Sequence, residues 1–129
     1  MRCLLDTHTL IWWMTTDPHL SRSARTLIEQ ESTISLVSAA SAWEIATKVR
    51  LGRLPAAADL VEDFVDDIKR QRMEILAVSA EHGIRAGLLP GPQKDPFDRM
   101  LIAQAINRDL SLLTNDTDIK LYPEIKTIW

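Results

Sequence analysis

The chain contains 129 residues, 46% of them hydrophobic and 26% charged, which is ordinary for one globular domain covering residues 1–129. Its single cysteine, Cys3, excludes an internal disulfide bond, and no apolar stretch is long enough to cross a membrane. The net charge of −3 argues against strong, non-specific binding of long nucleic acids, which requires a broad basic surface. The first residues lack the apolar region and cleavage site of a signal peptide, so we expect a cytoplasmic protein.

Short apolar runs alternate with helical patterns along the chain. In order, we predict a strand at 2–5, helices at 8–14 and 21–30, a strand at 33–37, helices at 38–51 and 57–72, a strand at 74–78, helices at 79–89 and 96–108, a strand at 111–114 and an edge strand at 126–129. This alternation is typical of an α/β protein. We therefore expect a three-layer α/β/α fold with a central, mainly parallel sheet of four to five strands.

Four acidic residues lie where predicted strands end or helices begin: Asp6, Glu44, Asp98 and Asp116. In open parallel sheets, the ligand site lies outside the carboxyl ends of the strands, so these residues are expected at one edge. Carboxylates gathered at one edge repel each other unless a cation lies between them, and Mg²⁺ and Mn²⁺ prefer oxygen ligands. The pattern therefore predicts metal-dependent chemistry on phosphate.

Each of these acids also has a purely structural interpretation. Asp6 is a favoured residue for capping the helix that follows it. Glu44 completes a capping box with Ser41, in which the glutamate reaches back to the cap residue. Asp98 would stabilise the positive end of its helix, and Asp116 would form an Asx turn or a cap. The joint placement of the four on one predicted edge favours the functional interpretation.

Several neighbours are candidates for auxiliary roles. The hydroxyls of Thr7 and Thr114 could orient a water or a metal, and Asp118 could assist or replace Asp116. Arg99 follows Asp98 directly and could hold a phosphate. A local basic strip after Glu44 is interpreted either as a solvated helix face or as a phosphate contact, and it consists of Lys48, Arg50 and Arg53.

Two adjacent tryptophans, Trp12 and Trp13, could stack on nucleobases, although core or interface packing is more typical of such a pair. Together with the apolar helix faces around Leu60 and Phe64, they are candidates for a dimer or partner surface. Packing in the core is the alternative for all four residues.

Four segments carry a resemblance to a known family: Leu4–His8, Ser41–Ile45, Asp95–Ala105 and Leu113–Asp116. Their order resembles that of a PIN domain, and specifically of the VapC-type toxins of bacterial toxin–antitoxin pairs. The stretch Asp-Pro-Phe-Asp-Arg with its following helix is the most specific part, and the resemblance covers nearly the whole chain. One departure is His8, where many relatives carry Asn.

The resemblance implies functions that composition and periodicity do not. By motif, Asp6, Glu44, Asp98 and Asp116 would bind Mg²⁺ or Mn²⁺ and carry the catalysis. The chain would be an endoribonuclease that hydrolyses RNA phosphodiester bonds. It would have an RNA substrate, a cognate antitoxin protein that blocks the site, and frequent homodimerisation.

Two other classes stay open at the level of sequence. Asp6-Thr7-His8-Thr9 after a strand is faintly similar to the nucleophile loop of aspartyl-phosphate phosphatases, but His8 replaces the second Asp of that loop. A phosphate-receiving signalling module needs a lysine near the end of its last strand, and Lys120 lies too late. A non-catalytic, PIN-like RNA-binding scaffold is also compatible, although this chain retains all four acids.

Overall fold

A computed structural model describes residues 1–129, and its centre is a sheet of five parallel strands. The strands are β1 (Arg2–Leu5), β2 (Ile34–Ser38), β3 (Glu74–Leu76), β4 (Ser111–Leu113) and β5 (Thr127–Ile128). Their order in the sheet is β3-β2-β1-β4-β5, with Leu5 opposite both Val37 and Leu113. The carboxyl ends of the three central strands therefore lie side by side, as the alternating sequence pattern predicted.

Helices cover both faces of this sheet. They are α1 (Thr7–Met14), α2 (Arg22–Glu29), α3 (Ala39–Arg50), α4 (Ala58–Glu62), α5 (Phe64–Arg70), α6 (Ala80–Leu88) and α7 (Pro96–Arg108). None of them is long and apolar enough to span a lipid bilayer. The α/β/α layering expected from the sequence is confirmed.

The alternation of side chains along the strands divides the core into two parts. Leu5, Val37 and Leu113 face the layer that contains α1, α2 and α5. Leu4, Leu36 and Leu112 face the opposite layer, where α7 contributes several of its buried residues. Because both faces are buried, the strands consist of nearly continuous apolar runs, as is typical of parallel sheets.

The prediction of one continuous helix at 57–72 is wrong. The chain forms a short 3₁₀ turn at Pro55–Ala57, then α4, and then α5 after a break at Asp63, whose φ and ψ are −113° and 30°. The two helices pack on different neighbours, α4 on α3 and α5 on β3, so a straight helix could not satisfy both. Val65, in the second of these helices, is 51% exposed.

Candidate active site at the carboxyl edge of the sheet

Asp6 joins the ends of two central strands to the first helix. Its backbone N–H donates to the carbonyl of Leu113 at 3.1 Å, which ties the end of β1 to the end of β4. One carboxylate oxygen accepts the N–H of His8 at 3.3 Å, so Asp6 does cap α1. The other oxygen accepts the hydroxyl of Thr114 at 2.6 Å. The carboxylate is 6% exposed and is held in one orientation by these two donors.

Thr114 links Asp6 to Asp116. The hydroxyl that donates to Asp6 also accepts the backbone N–H of Asp116 at 3.0 Å, and Thr114 is fully buried. Asp116 in turn accepts the N–H groups of Asp118 and Ile119 at 2.8 and 3.2 Å, which is the turn expected from the sequence. Asp118 supplies this backbone contact while its side chain is exposed.

The capping box predicted for Glu44 is wrong. The residue that caps α3 is Ser38, whose hydroxyl accepts the N–H of Ala40 at 3.0 Å. Ser41 lies inside the helix, where its hydroxyl is 2.9 Å from the hydroxyl of Thr7. Thr7 therefore connects α1 to α3, because its hydroxyl is used by Ser41. Glu44 lies one turn further along and is 2% exposed.

Glu44 is paired with Lys48, a member of the basic strip that the sequence shows after Glu44. The ammonium of Lys48, one helical turn away, forms an ion pair with one carboxylate oxygen of Glu44. The other oxygen, Oε1, is buried and has no hydrogen-bond partner. Burial alone would lower the pKa of Lys48, but Glu44, Asp95 and Asp98 together raise it above its ordinary value. The i, i+4 spacing of Glu44 and Lys48 was the signal that could have identified this pair.

Asp98 lies in the first turn of α7, where Asp95 accepts the N–H groups of Phe97 and Asp98 at 2.8 and 3.2 Å. Burial raises the pKa of Asp98 to about 8, with further contributions from Asp6, Asp95, Glu44 and Asp116. The structure thus brings the four predicted acids within electrostatic reach of one another. Asp95, the residue that caps α7, adds a fifth acidic side chain to this group.

Asp6 shows the same excess of negative charge. Burial is the largest cause of its raised pKa, the hydrogen bonds from Thr114 and His8 oppose the rise, and the charge of Glu44 adds to it. Lys48 is the basic residue that compensates part of this charge. A buried group of carboxylates with one lysine is electrostatically incomplete.

The donor chemistry of the site fits a hard divalent cation, which takes carboxylate oxygens as ligands. Glu44 Oε1 is a buried oxygen without a partner. The pKa of Asp98 is raised first by burial and then by neighbouring carboxylates, whose negative charge a cation would compensate. No three His, Cys, Asp or Glu side chains converge on one point at coordinating distance. Holding an ion therefore requires rotation of at least one of these side chains.

Arg99, which we expected from the sequence to hold a phosphate, uses its donors within the fold. Its guanidinium donates to the backbone carbonyls of Ala86, Gln93 and Leu89 at 3.0, 2.8 and 2.6 Å. A fourth, longer contact of 3.4 Å reaches the carbonyl of Gly87. With its donors committed to these carbonyls, Arg99 fastens the end of α6 and the following loop to α7.

A cavity of about 260 Å³ opens beside the carboxylates. Its lining consists of Asp6, His8, Thr9, Trp12, Asn115 and Asp116. Larger cavities of about 500 and 590 Å³ lie at α6 and at the amino end of the sheet, and neither contains any of the four predicted acids. The cavity next to Asp6 is therefore the one that a substrate of this site would enter.

A parallel α/β sheet with carboxylates at its carboxyl edge defines the class of protein, and comparison with known proteins gives the family. The family model of the PIN domain matches residues 3–125, so the chain belongs to the PIN domain family. No curated protein matches it significantly.

Solved structures share the fold. The chain is similar to one in the VapBC2 complex from Rickettsia felis bound to a DNA fragment from its promoter, with a TM-score of 0.72, 20% identity, and coverage of 99% of this chain and 98% of that one. It is also similar to a chain of a toxin–antitoxin complex from Klebsiella pneumoniae, with a TM-score of 0.67, 18% identity, and coverage of 98% and 96%.

Proposed function

We propose that the chain is a divalent-metal-dependent endoribonuclease and acts as the VapC-type toxin of a toxin–antitoxin pair. The observation that carries the proposal is the buried, charge-incomplete group of carboxylates at the carboxyl edge of the sheet, in which one Glu44 oxygen has no partner. Membership of the PIN domain family supports the chemistry. The similar folds in two toxin–antitoxin complexes support the biological role.

Asp6, Glu44, Asp98 and Asp116 would hold Mg²⁺ or Mn²⁺. A bound ion would neutralise negative charge on the substrate phosphate. It would also lower the pKa of a water molecule bound to it towards neutral pH. The rest of the chain prepares the ligands. Thr114 holds the carboxylate of Asp6 and the backbone of Asp116, and Lys48 pairs with one oxygen of Glu44 while the other stays available.

The phosphatase alternative lacks its second acid. His8 occupies the position at which the loop of aspartyl-phosphate phosphatases carries a second Asp. Membership of the PIN domain family also favours a nuclease. No contact in the site favours the alternative of a scaffold that binds RNA without cleaving it.

The test is to incubate the purified chain, free of partners, with mixed single-stranded RNA in EDTA, Mg²⁺ or Mn²⁺. We expect cleavage that needs a divalent ion and falls by about 100-fold or more in Asp6→Asn, because loss of one charged ligand weakens ion binding. Asp118→Asn is the matched control. Its carboxylate is exposed on the same loop, so we expect the rate of the unmodified chain.

Equal rates for Asp6→Asn and the unmodified chain would contradict the site assignment. A folded, Mn²⁺-loaded chain that left all RNA intact but released phosphate from a phosphate monoester would contradict the ribonuclease assignment. An Asp118→Asn variant as inactive as Asp6→Asn would make Asp118 a further ligand.

The same proposal includes a cognate antitoxin that covers the site, homodimerisation and a cytoplasmic location. The residues of the candidate partner surface also pack against the core. Trp12, Trp13, Leu60 and Phe64 are partly buried and pack against the core on the side of α1. Trp13 also donates its indole N–H to Gln71 at 3.0 Å. Sedimentation analysis of the purified chain over a concentration series tests the dimer directly.

A further inference from the structure

One wall of the cavity beside Asp6 and Asp116 is aromatic. The rings of His8 and Trp12 line it, with their centroids 5.8 Å apart and their planes tilted by 46°. His8 is exposed and Trp12 is half-buried, so both rings can be reached from the cavity. Trp12 was a candidate for base stacking from the sequence. In the structure its ring lines the same cavity as two of the carboxylates.

Two further rings contact Trp12. His19 stacks on Trp12 with a centroid distance of 5.4 Å, and Asp17 fixes the His19 ring through a contact of 2.7 Å to Nδ1. Trp129 meets Trp12 edge to face at 5.7 Å. A preformed platform loses little conformational entropy when a ligand binds to it.

The cavity lining also contains polar side chains. Thr9 donates its hydroxyl to the carbonyl of Leu113 at 2.8 Å, so it is not available to a ligand. The side-chain amide of Asn115 lies in the lining and is exposed. An amide supplies both a donor and an acceptor, which matches the edge of a nucleobase.

We propose that this cavity is a nucleobase subsite, in which one base of single-stranded RNA stacks on His8 and Trp12 and hydrogen-bonds to Asn115, next to the phosphate handled by the carboxylates. The inference rests on the proposed ribonuclease function and names how its substrate is bound. At about 260 Å³ the cavity is smaller than most sites for drug-sized ligands, which measure roughly 300–1,000 Å³, and is suited to one ring system.

The chemistry of the lining favours RNA over a protein partner. Aromatic stacking accepts any base, and it is the usual way in which proteins hold single strands. An apolar segment of a partner would have to desolvate Asp6 and Asp116, which line the same cavity, whereas a nucleotide brings a phosphate that an ion can bridge to them. The net charge of −3 is also consistent with recognition by rings, since the chain lacks a broad basic surface.

The test measures binding separately from cleavage. A fluorescent, short single-stranded RNA is titrated in Mg²⁺ with the Asp6→Asn chain, whose cleavage is expected to be slow, beside an oligonucleotide of the same length in which every base is missing. We expect tighter binding of the RNA with bases, and a loss of roughly 5- to 150-fold in its affinity on Trp12→Ala, the range typical for removal of one stacking ring. His8→Ala and Asn115→Ala should weaken binding of the same RNA while leaving the abasic oligonucleotide unaffected.

Because Trp12 also packs on the core, His8→Ala and Trp12→Phe keep the test valid if Trp12→Ala fails to fold. Trp12→Phe retains a ring and should restore most of the affinity. Leu88→Ala is the matched control, since Leu88 is a large apolar residue that is 80% exposed on α6, outside this cavity. It should bind RNA like its parent.

Three results would overturn the subsite. The first is an equal affinity for the normal and the abasic oligonucleotides. The second is an unchanged RNA affinity in folded Trp12→Ala and His8→Ala. The third is a dimer that dissociates in Trp12→Ala while RNA affinity stays the same, which would assign the rings to a protein interface. The first two with metal-dependent cleavage intact would leave the ribonuclease function standing. Base-dependent binding with no cleavage by the unmodified chain would instead overturn the ribonuclease function.

Discussion

Glu44 and Lys48 form a pair whose two members are unequally buried. Glu44 has 3% of its side chain exposed and Lys48 has 22%. Breaking a buried pair by removing one partner leaves the other charge without compensation. Since Glu44 Oε1 already lacks a hydrogen bond, the removal of Lys48 would leave Glu44 with no partner at all.

We therefore predict that Lys48→Met lowers the stability of the folded chain in EDTA. The loss should be about 1–3 kcal/mol, below the roughly 3–5 kcal/mol of a fully buried pair because solvent reaches the lysine. Mn²⁺ should raise the melting temperature of this variant more than that of the unmodified chain, because the ion replaces the missing charge. Differential scanning calorimetry in EDTA and in Mn²⁺ measures both effects.

Arg70→Met is the control for Lys48→Met. Arg70 forms a comparable helical pair with Asp67 at 2.6 Å, but its side chain is 67% exposed. Removal of an exposed pair changes stability by about 0–1 kcal/mol. Equal melting temperatures for Lys48→Met and Arg70→Met would mean that the Glu44 carboxylate is solvated in solution and that the lysine has no special role.

At the scale of elements, Arg99 joins α6 to α7 across the loop that precedes the site. Its guanidinium donates to three carbonyls near the end of α6 and to the carbonyl of Gln93 in the loop. Carbonyls at a helix end have no partner within the helix, so these donors satisfy groups that would otherwise need water. The start of α7, which carries Asp98, is therefore positioned by the neighbouring Arg99.

We predict that Arg99→Met destabilises the chain by about 2–3 kcal/mol, since hydrogen bonds to charged groups are worth about 1.5–3 kcal/mol each and Arg99 is partly solvated. The affinity of the folded variant for single-stranded RNA should stay near that of its parent, because no phosphate contact is lost. Chemical denaturation and RNA titration in EDTA measure the two quantities.

Arg85→Met is the matched control for this variant. Arg85 is an exposed arginine of α6 whose side chain donates to Asn107 alone, so its loss should change stability by about 0.5 kcal/mol or less. If Arg99→Met keeps full stability and loses RNA affinity, the phosphate role expected from the sequence is correct after all.

Elements with strong local signals could be predicted from the sequence. The helix at 96–108 has the predicted bounds because Asp95 caps it and Pro96 begins it. The break between α4 and α5 could not be predicted, because it depends on packing against α3 and β3 rather than on local residues. In the site, the predicted ends of β1 and β4 were sufficient to locate Asp6 and Asp116 at the carboxyl edge of the sheet. The roles of Ser41 and Arg99 depend on partners distant in sequence, at Thr7 and around Ala86.

At the scale of the whole molecule, the predicted ligands come from four separate parts of the fold. Asp6 follows β1, Glu44 belongs to α3, Asp98 begins α7, and Asp116 follows β4. An ion bound by all of them would connect these elements, and its binding free energy would then add to the stability of the folded chain. Without an ion, their mutual repulsion acts against folding.

Burial of Asp98, together with this repulsion, predicts how stability depends on pH. The pKa of Asp98 is about 8 in the folded chain, against an ordinary value of 3.8 for an unfolded one. Between these values the folded chain retains a proton that the unfolded chain releases, so stability falls as pH rises through this range and the full penalty is reached above about pH 8. Mn²⁺ should reverse the trend, because a cation favours the ionised carboxylates.

Asp98→Asn isolates the contribution of this residue, because the amide does not titrate. In EDTA, the variant should lose less stability than the unmodified chain as the pH rises, and it should become the more stable of the two near pH 8. Asp118→Asn, with an exposed carboxylate on the neighbouring loop, should keep the original slope. Thermal unfolding of the three chains across this pH range, in EDTA and in Mn²⁺, provides the comparison. Parallel curves for Asp98→Asn and the unmodified chain in EDTA would show that Asp98 is not under repulsion, and the electrostatic case for a cation at this edge would fail.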